Sequence, residues 1–371
     1  MDITVYALSI PFKFKFSHAR KTRKKSSSVL VEIKRGPYVG FGEGCPRKYV
    51  TGETIDGAIK WIKRIANTIK DIEDISTLKH WVLANELRID KNPSAWCAVE
   101  TAIIDLIGKE SGKTFNEILN IKKCISNQKV TAVISEGNLE FVNSMLDRYL
   151  DFGFTDFKIK FSGDLGKDSV KVDLLKNKID KNYSVRVDFN NVFSSKNINE
   201  FVQYLGNLNY KFFAIEEPFE SRAFSSMLKV IEILKTPIIL DESFTKIQDI
   251  DWIEKGDGFI PNIRVSKIGG ILRTLDLIEL VKRNIGKFIL GSLVGETSIL
   301  SRLWLIVAGY SGEYVYAREG AYSTHLLECD ITESPIIIGR NGEIDIPETV
   351  MDSPGLGIEI SPNILQYAEK Y

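Results

Sequence analysis

The 371-residue sequence has only four cysteines, Cys45, Cys97, Cys124 and Cys329, and no two of them stand in a CxxC spacing. That scarcity argues against a disulfide scaffold and points to free thiols in a reducing compartment. No apolar run approaches the roughly 20 residues needed to span a bilayer. A secretory leader is not expected either, because Lys13, Lys15, Arg20 and Lys21 interrupt the first apolar stretch. An excess of one charge is missing too: Lys+Arg and Asp+Glu stand at 49 each, so nothing calls for nucleic acid or an anionic membrane. What these absences leave is a cytoplasmic protein that handles small molecules, with a homo-oligomer allowed.

One local departure is the basic run Arg20-Lys21-Thr22-Arg23-Lys24-Lys25. It falls between two strand-like segments, 3–11 and 28–34, and reads as the solvated loop of a hairpin rather than a nucleic-acid patch.

The organisation changes twice along the chain. Residues 1–45 alternate like antiparallel strands, with Gly36-Pro37 marking a turn. Residues 54–120 carry apolar positions at helical spacing, with Ser94 as an expected N-cap and Gly112 as an expected stop. From Lys129 onward short apolar runs alternate with helical stretches. Strands are expected at 130–135, 156–161, 184–189, 212–217, 237–242, 259–265, 287–292 and 313–317. Eight strands separated by helices describe a parallel α/β barrel, whose usual size of about 250 residues leaves room for a smaller α+β domain. The tail from 318, with its DSPGLGIEI segment, cannot extend the barrel and is expected to pack back on the first domain.

Charged residues recur at the ends of these runs: Lys160, Asp188, Glu216, Asp241 and Lys267, at intervals of 28, 28, 25 and 26 residues. Side chains at the C-terminal ends of successive barrel strands converge on one mouth. Asp188, Glu216 and Asp241 brought together there repel unless a cation neutralises them. An oxygen-only set without His or Cys suits a hard ion, Mg²⁺ first. Lys158 and Lys160 alternate with Phe157, Ile159 and Phe161, so both lysines face the barrel interior. Lys267 closes the series from the far side. Two lysines on opposite faces of a metal-bound carboxylate suit removal and return of an α-proton, since burial and neighbouring cations lower a lysine from its free value of about 10.4.

The series Lys158-x-Lys160, Asp188-Phe189-Asn190, Glu216-Glu217-Pro218, Asp241-Glu242-Ser243 and Ser266-Lys267-Ile268-Gly269-Gly270 resembles the enolase superfamily, muconate-lactonizing-enzyme subgroup. The closing Pro354-Gly355-Leu356-Gly357-Ile358 is similar to that subgroup's C-terminal return, so the resemblance covers nearly the whole chain. It implies a modified (β/α)7β barrel at 126–344 and an α+β capping domain at 1–125 completed by 345–371. It implies one Mg²⁺ on Asp188, Glu216 and Asp241, a substrate carboxylate on that metal, and an enediolate formed on α-proton loss. Lys160 and Lys267 become the acid/base pair, Lys158 a charge-stabilising neighbour, and Asn190 and Glu242 groups that orient the site.

Among the subgroup's reactions, epimerisation of a dipeptide such as L-Ala-L-Glu fits lysines on both faces. Substrate contacts are expected from the basic loop (Arg20, Lys21), whose charge suits an acidic side chain, and from Ser135, Ser292, Glu296, Glu319 and Ser323 in loops after strands one, seven and eight. The Asp-x-Asp that commonly holds the dipeptide ammonium is replaced by Ala321-Tyr322-Ser323, with Glu319, Glu328 and Asp330 nearby. Alternatives are a muconate-type cycloisomerase, an o-succinylbenzoate synthase, and a non-catalytic barrel relative.

Overall fold

The computed structural model describes residues 1–18, 21–122, 128–180, 182–253, 258–320 and 323–371, apart from the side chains at 15–18, 21–22, 323–324 and 365. The N-terminal strands are β1 (Asp2–Leu8), β2 (Pro11–His18), β3 (Lys21–Lys25), β4 (Ser28–Arg35) and β5 (Tyr38–Gly44). β1, β4 and β5 form an antiparallel sheet, and Gly36 at φ +56° turns β4 into β5. β2 and β3 pair with each other, and Phe12 of β2 also bridges Leu327 of the tail. The basic run expected as a loop is therefore largely strand, because the Phe-Lys alternation of Pro11–His18 supplies it with a partner. Arg20 lies outside the described residues.

The sheet packs on the helix Pro93–Ser111 through a stripe of glycines. A Cβ at Gly40, Gly42 or Gly44 would lie 2.1, 2.0 and 1.9 Å from the carbonyl oxygens of Ala102, Ala98 and Ser94. Two strand residues rise about 6.8 Å and four helical residues about 6 Å, so a period of two on β5 keeps step with a period of four on the helix. The strand backbone thus lies directly on the helix backbone. This helix begins at Pro93 and not after Ser94, since proline has the right φ and no N–H to satisfy. The Ser94 and Ala95 amides donate instead to the buried Glu53 carboxylate at 3.0 Å each. Gly112, at φ +65°, ends the helix as expected.

The barrel strands are β6 (Ala132–Ile134), β7 (Asp156–Lys160), β8 (Ser184–Asp188), β9 (Ala214–Glu216), β10 (Ile238–Leu240), β11 (Phe259–Ile263), β12 (Phe288–Leu290) and β13 (Val315–Arg318). They lie in chain order in one curled parallel sheet. The Thr131 amide donates to the Arg318 carbonyl at 2.7 Å, joining the first strand's edge to the last. Helices follow each of the first seven strands, which makes this the modified (β/α)7β barrel. The short strands of the tail, β14 (Ile337–Ile338) and β15 (Ile344–Asp345), pair with each other, while β16 (Ala368–Lys370) adds to the outer edge of β1. The tail also touches the helix Pro93–Ser111: the Leu356 amide donates to Asp105 at 2.7 Å. Among the described residues no helix is long and apolar enough to cross a membrane.

Cap and barrel meet at Glu100. Its carboxylate accepts from the amides of Ile271 (2.5 Å) and Leu272 (3.3 Å) at the start of a barrel helix. Gly270, at φ +97°, makes this possible, because a Cβ there would lie 2.2 Å from Glu100 Oε2. Burial pushes the Glu100 carboxyl from 4.5 up to about 8, with its hydrogen bonds opposing the rise. A carboxyl raised on folding contributes its full stability below pH 4.5 and loses it as the pH climbs toward and through 8, because the unfolded chain releases a proton that the folded one still holds. Glu100→Gln should therefore match the wild type near pH 5 and gain on it by on the order of 2 kcal/mol at pH 8 in denaturant unfolding. A difference between the two proteins that does not change with pH would contradict the raised carboxyl.

Candidate active site

Strand alternation turns Lys158 and Lys160 of β7 inward, and both are buried. In the parallel register Lys160 pairs with Asp188, and Asp188 with Glu216. Ile239 pairs with Glu216, which sets Asp241 just beyond the end of β10. Lys267 arrives on the short helix Val265–Ile268 that follows β11. Glu217 fixes the place of Asp241. Held at φ +40°, its carboxylate accepts from the Asp241 and Ser243 amides at 2.7 Å each, from the Ser243 hydroxyl at 2.9 Å and from Asn191 Nδ2 at 3.0 Å.

Each acid of the series meets a base. Lys160 Nζ donates to Asp188 Oδ2 at 2.8 Å and to Asn190 Oδ1 at 2.7 Å. Lys158 Nζ donates to Glu216 at 3.1 Å and to Glu319 at 2.7 Å. Lys267 Nζ donates to Asp241 Oδ1 at 2.8 Å and to the carbonyls of Asp241 (2.9 Å) and Asn262 (2.7 Å). Arg264 donates to Asp241 Oδ2 and lies 3.9 Å from Glu216. Burial opposes ionisation of Asp241, but Arg264, Lys267 and Lys158 hold it well below the usual carboxylate range. Burial likewise draws the Lys267 ammonium down from 10.5, against the pull of Asp241.

The sequence led us to expect three acids gathered at one point and neutralised by metal. Among the described residues no three acidic, histidine or cysteine side chains are grouped as a metal cage. The physical reason is local: lysines and Arg264 supply the positive charge, and each carboxylate is turned onto one of them. The donor set still fits a hard divalent cation, being oxygen only and adjacent in register. Burial pushes Glu216 up to about 8; Lys158 pulls the other way, while Asp188, Glu319 and Asp241 add to the rise. Added positive charge is therefore stabilising at this spot.

A pocket of about 850 Å³, open mouth included, sits over these groups. Lys158, Lys160, Asp188, Asn190, Asp241 and Glu242 line it, as do Ser135, Ser292 and Glu319 from the loops expected to contact substrate. Asn190 Nδ2 reaches Glu242 Oε1 at 3.5 Å. Glu319 is the counter-ion of Lys158 and also lies 3.4 Å from Arg186. Glu296 is not among the residues lining the pocket, and its Oε1 accepts from the Leu293 amide at 2.6 Å. Lys21 lies in β3 and Ser323 opens the helix Ser323–Leu326, with both side chains outside the described residues, as are Ala321 and Tyr322. Arg186 and Arg264 escaped the sequence reading, although Arg186 shares the inward parity of Asp188 on β8 and Arg264, extended just past β11, that of Asn262. Glu217 carried no signal, because its role depends on a positive φ.

Eight parallel strands in chain order, acids and lysines at their C-terminal ends and a cap built from both termini are the architecture of the enolase superfamily. The chain belongs to that group: residues 140–364 match the family described as Enolase C-terminal domain-like. It is 26% identical to the hydrophobic dipeptide epimerase of Enterococcus faecalis over 80% of this chain and 83% of that one. It is 25% identical to the N-succinyl-L-Arg/Lys racemase of Bacillus cereus over 98% and 96% of the two chains. Its fold superposes on the dipeptide epimerase of Cytophaga hutchinsonii, solved with Mg and D-Ala-L-Val, at a TM-score of 0.84 with 21% identity, over 100% of this chain and 98% of that one.

Proposed function

We propose that this protein is a Mg²⁺-dependent epimerase that abstracts and returns the α-proton of a dipeptide carboxylate. The observation that carries the reading is the placement of two buried lysines across the barrel from each other. Lys160 ends β7 and Lys267 follows β11, four strands away, with Asp188, Glu216 and Asp241 at or just beyond the ends of the strands between. Those three carboxylates would hold the cation, which when bound draws electron density from the substrate carboxylate and so acidifies its α-C–H. A substrate α-carbon seated over them presents one face to each lysine. One lysine must be a neutral amine to take the proton, while the other, an ammonium, delivers one to the opposite face; configuration inverts. Lys158 stays an ammonium between Glu216 and Glu319 and offsets negative charge on the substrate. Asn190 holds Lys160 at 2.7 Å, and Asn190 and Glu242 brace the acids. The chain divides accordingly into a cap (1–125 with 345–371) and a catalytic barrel (126–344).

Besides its acids and lysines, the described wall of the pocket carries the apolar Phe14, Val133, Met145, Val294 and Leu326 and the rings of Tyr49 and Tyr149, together with Arg264 and His325. Arg23 of the basic run is buried and lies over the Tyr49 ring at 5.7 Å. This supports a dipeptide with an apolar side chain in preference to L-Ala-L-Glu, which becomes the comparator. In D₂O with Mg²⁺, a dipeptide library should show deuterium entering one α-carbon together with inversion there. Excess chelator should stop both, and added Mg²⁺ should restore them. No exchange from any dipeptide or N-succinyl amino acid would reject the reading, and exchange that persists in chelator would reject its metal.

A further inference from the structure

We infer that Arg264 is a positioning residue that competes with the divalent cation for Asp241 and Glu216 and so weakens cation binding; this rests on the metal reading above. Four basic groups hold the three carboxylates, and three of them have somewhere else to bond. Lys158 has Glu319 at 2.7 Å, Lys160 has Asn190 at 2.7 Å, and Lys267 has the carbonyls of Asp241 and Asn262. Among the described residues Arg264 differs. Its hydrogen bond goes to Asp241, its next acid is Glu216 at 3.9 Å, and its buried Nε has no partner. A cation entering between these acids would leave the three lysines partnered and Arg264 stranded.

A buried guanidinium cannot escape by losing its proton, because arginine stays charged in proteins. It must move to another anion or remain unpaired at a cost. The barrel is built to keep it in place. A Cβ at Gly291 would lie 3.0 Å from Arg264 Cγ and Nε and 2.1 Å from Asn262 Oδ1, so the bare glycine leaves room for both inward side chains. The competition is thus a property of two positions, Arg264 and Gly291.

The test is isothermal titration of Mg²⁺ into the full-length wild type and into Arg264→Met and Arg264→Gln, each checked for folding by thermal unfolding. Removing a competing charge that hydrogen-bonds Asp241 and lies 3.9 Å from Glu216 should tighten the Mg²⁺ Kd by about tenfold or more in either variant. A merely structural role would give the opposite sign, since a disturbed site binds the ion more weakly. An unchanged or weaker Kd in a folded variant would overturn the inference while leaving the metal reading intact. Failure of the wild type to bind Mg²⁺ would overturn both. Arg264→Gln leaves a polar group on Asp241, so it reports even where the methionine variant does not fold.

Discussion

Lys160→Ala and Lys267→Ala should each lower the rate of epimerisation by at least about a thousandfold, within the range for loss of a positioned acid or base. The two losses should not be identical. If each lysine serves one face of the α-carbon, the variant that keeps Lys267 can still exchange the α-proton of one epimer with D₂O, and the variant that keeps Lys160 that of the other. Inversion disappears in both. Proton NMR of each epimer incubated with each variant separates these outcomes, and circular dichroism guards against unfolding. The guard matters for Lys267, which is fully buried and bonds two backbone carbonyls as well as Asp241. Lys267→Met, which keeps the bulk, serves where alanine destabilises. Wild-type inversion in either variant would remove that lysine from the mechanism.

Gly42→Ala should cost more than about 3 kcal/mol or prevent folding, because overpacking against backbone cannot be relieved by a rotamer change. The added Cβ would stand 2.0 Å from the Ala98 carbonyl oxygen and 2.6 Å from the Ala102 amide. Strand and helix would have to separate along their whole contact. Gly206, within the helix Ile198–Leu208, has nothing within 4 Å of its Cβ position. Gly206→Ala should accordingly stabilise by about 0.5–1 kcal/mol through helix propensity alone. Denaturant unfolding compares the two, and a mild effect at Gly42 would mean that the sheet and helix can part easily.

The eight barrel strands were legible because strands buried on both faces must be apolar throughout, and their charged ends then stand out. The inward placement of Lys158 and Lys160 followed from a period of two. The same rule applied to β8 and β11 reaches Arg186 and Arg264, so those two were within reach. The strand at Lys21–Lys25 was not, since five residues with four basic side chains carry no apolar pattern and become a strand only against β2. Glu296 could not be placed either: a loop carboxylate faces a pocket or its own backbone according to loop geometry. The glycines of β5 read as ordinary strand residues until a helix lies against them.

Local covalent rules were enough for the order of elements, the barrel and the ladder of charges at its mouth, because side-chain alternation and apolar runs depend only on neighbours in the chain. Tertiary structure alone decided which charges neutralise which. Coulomb interactions between residues 23 to 161 positions apart depend on strand register and side-chain direction, and no sequence interval contains them. That is why Asp188, Glu216 and Asp241 could be read as a set from the chain, while the pairing of Arg264 with Asp241 emerged only when the barrel closed.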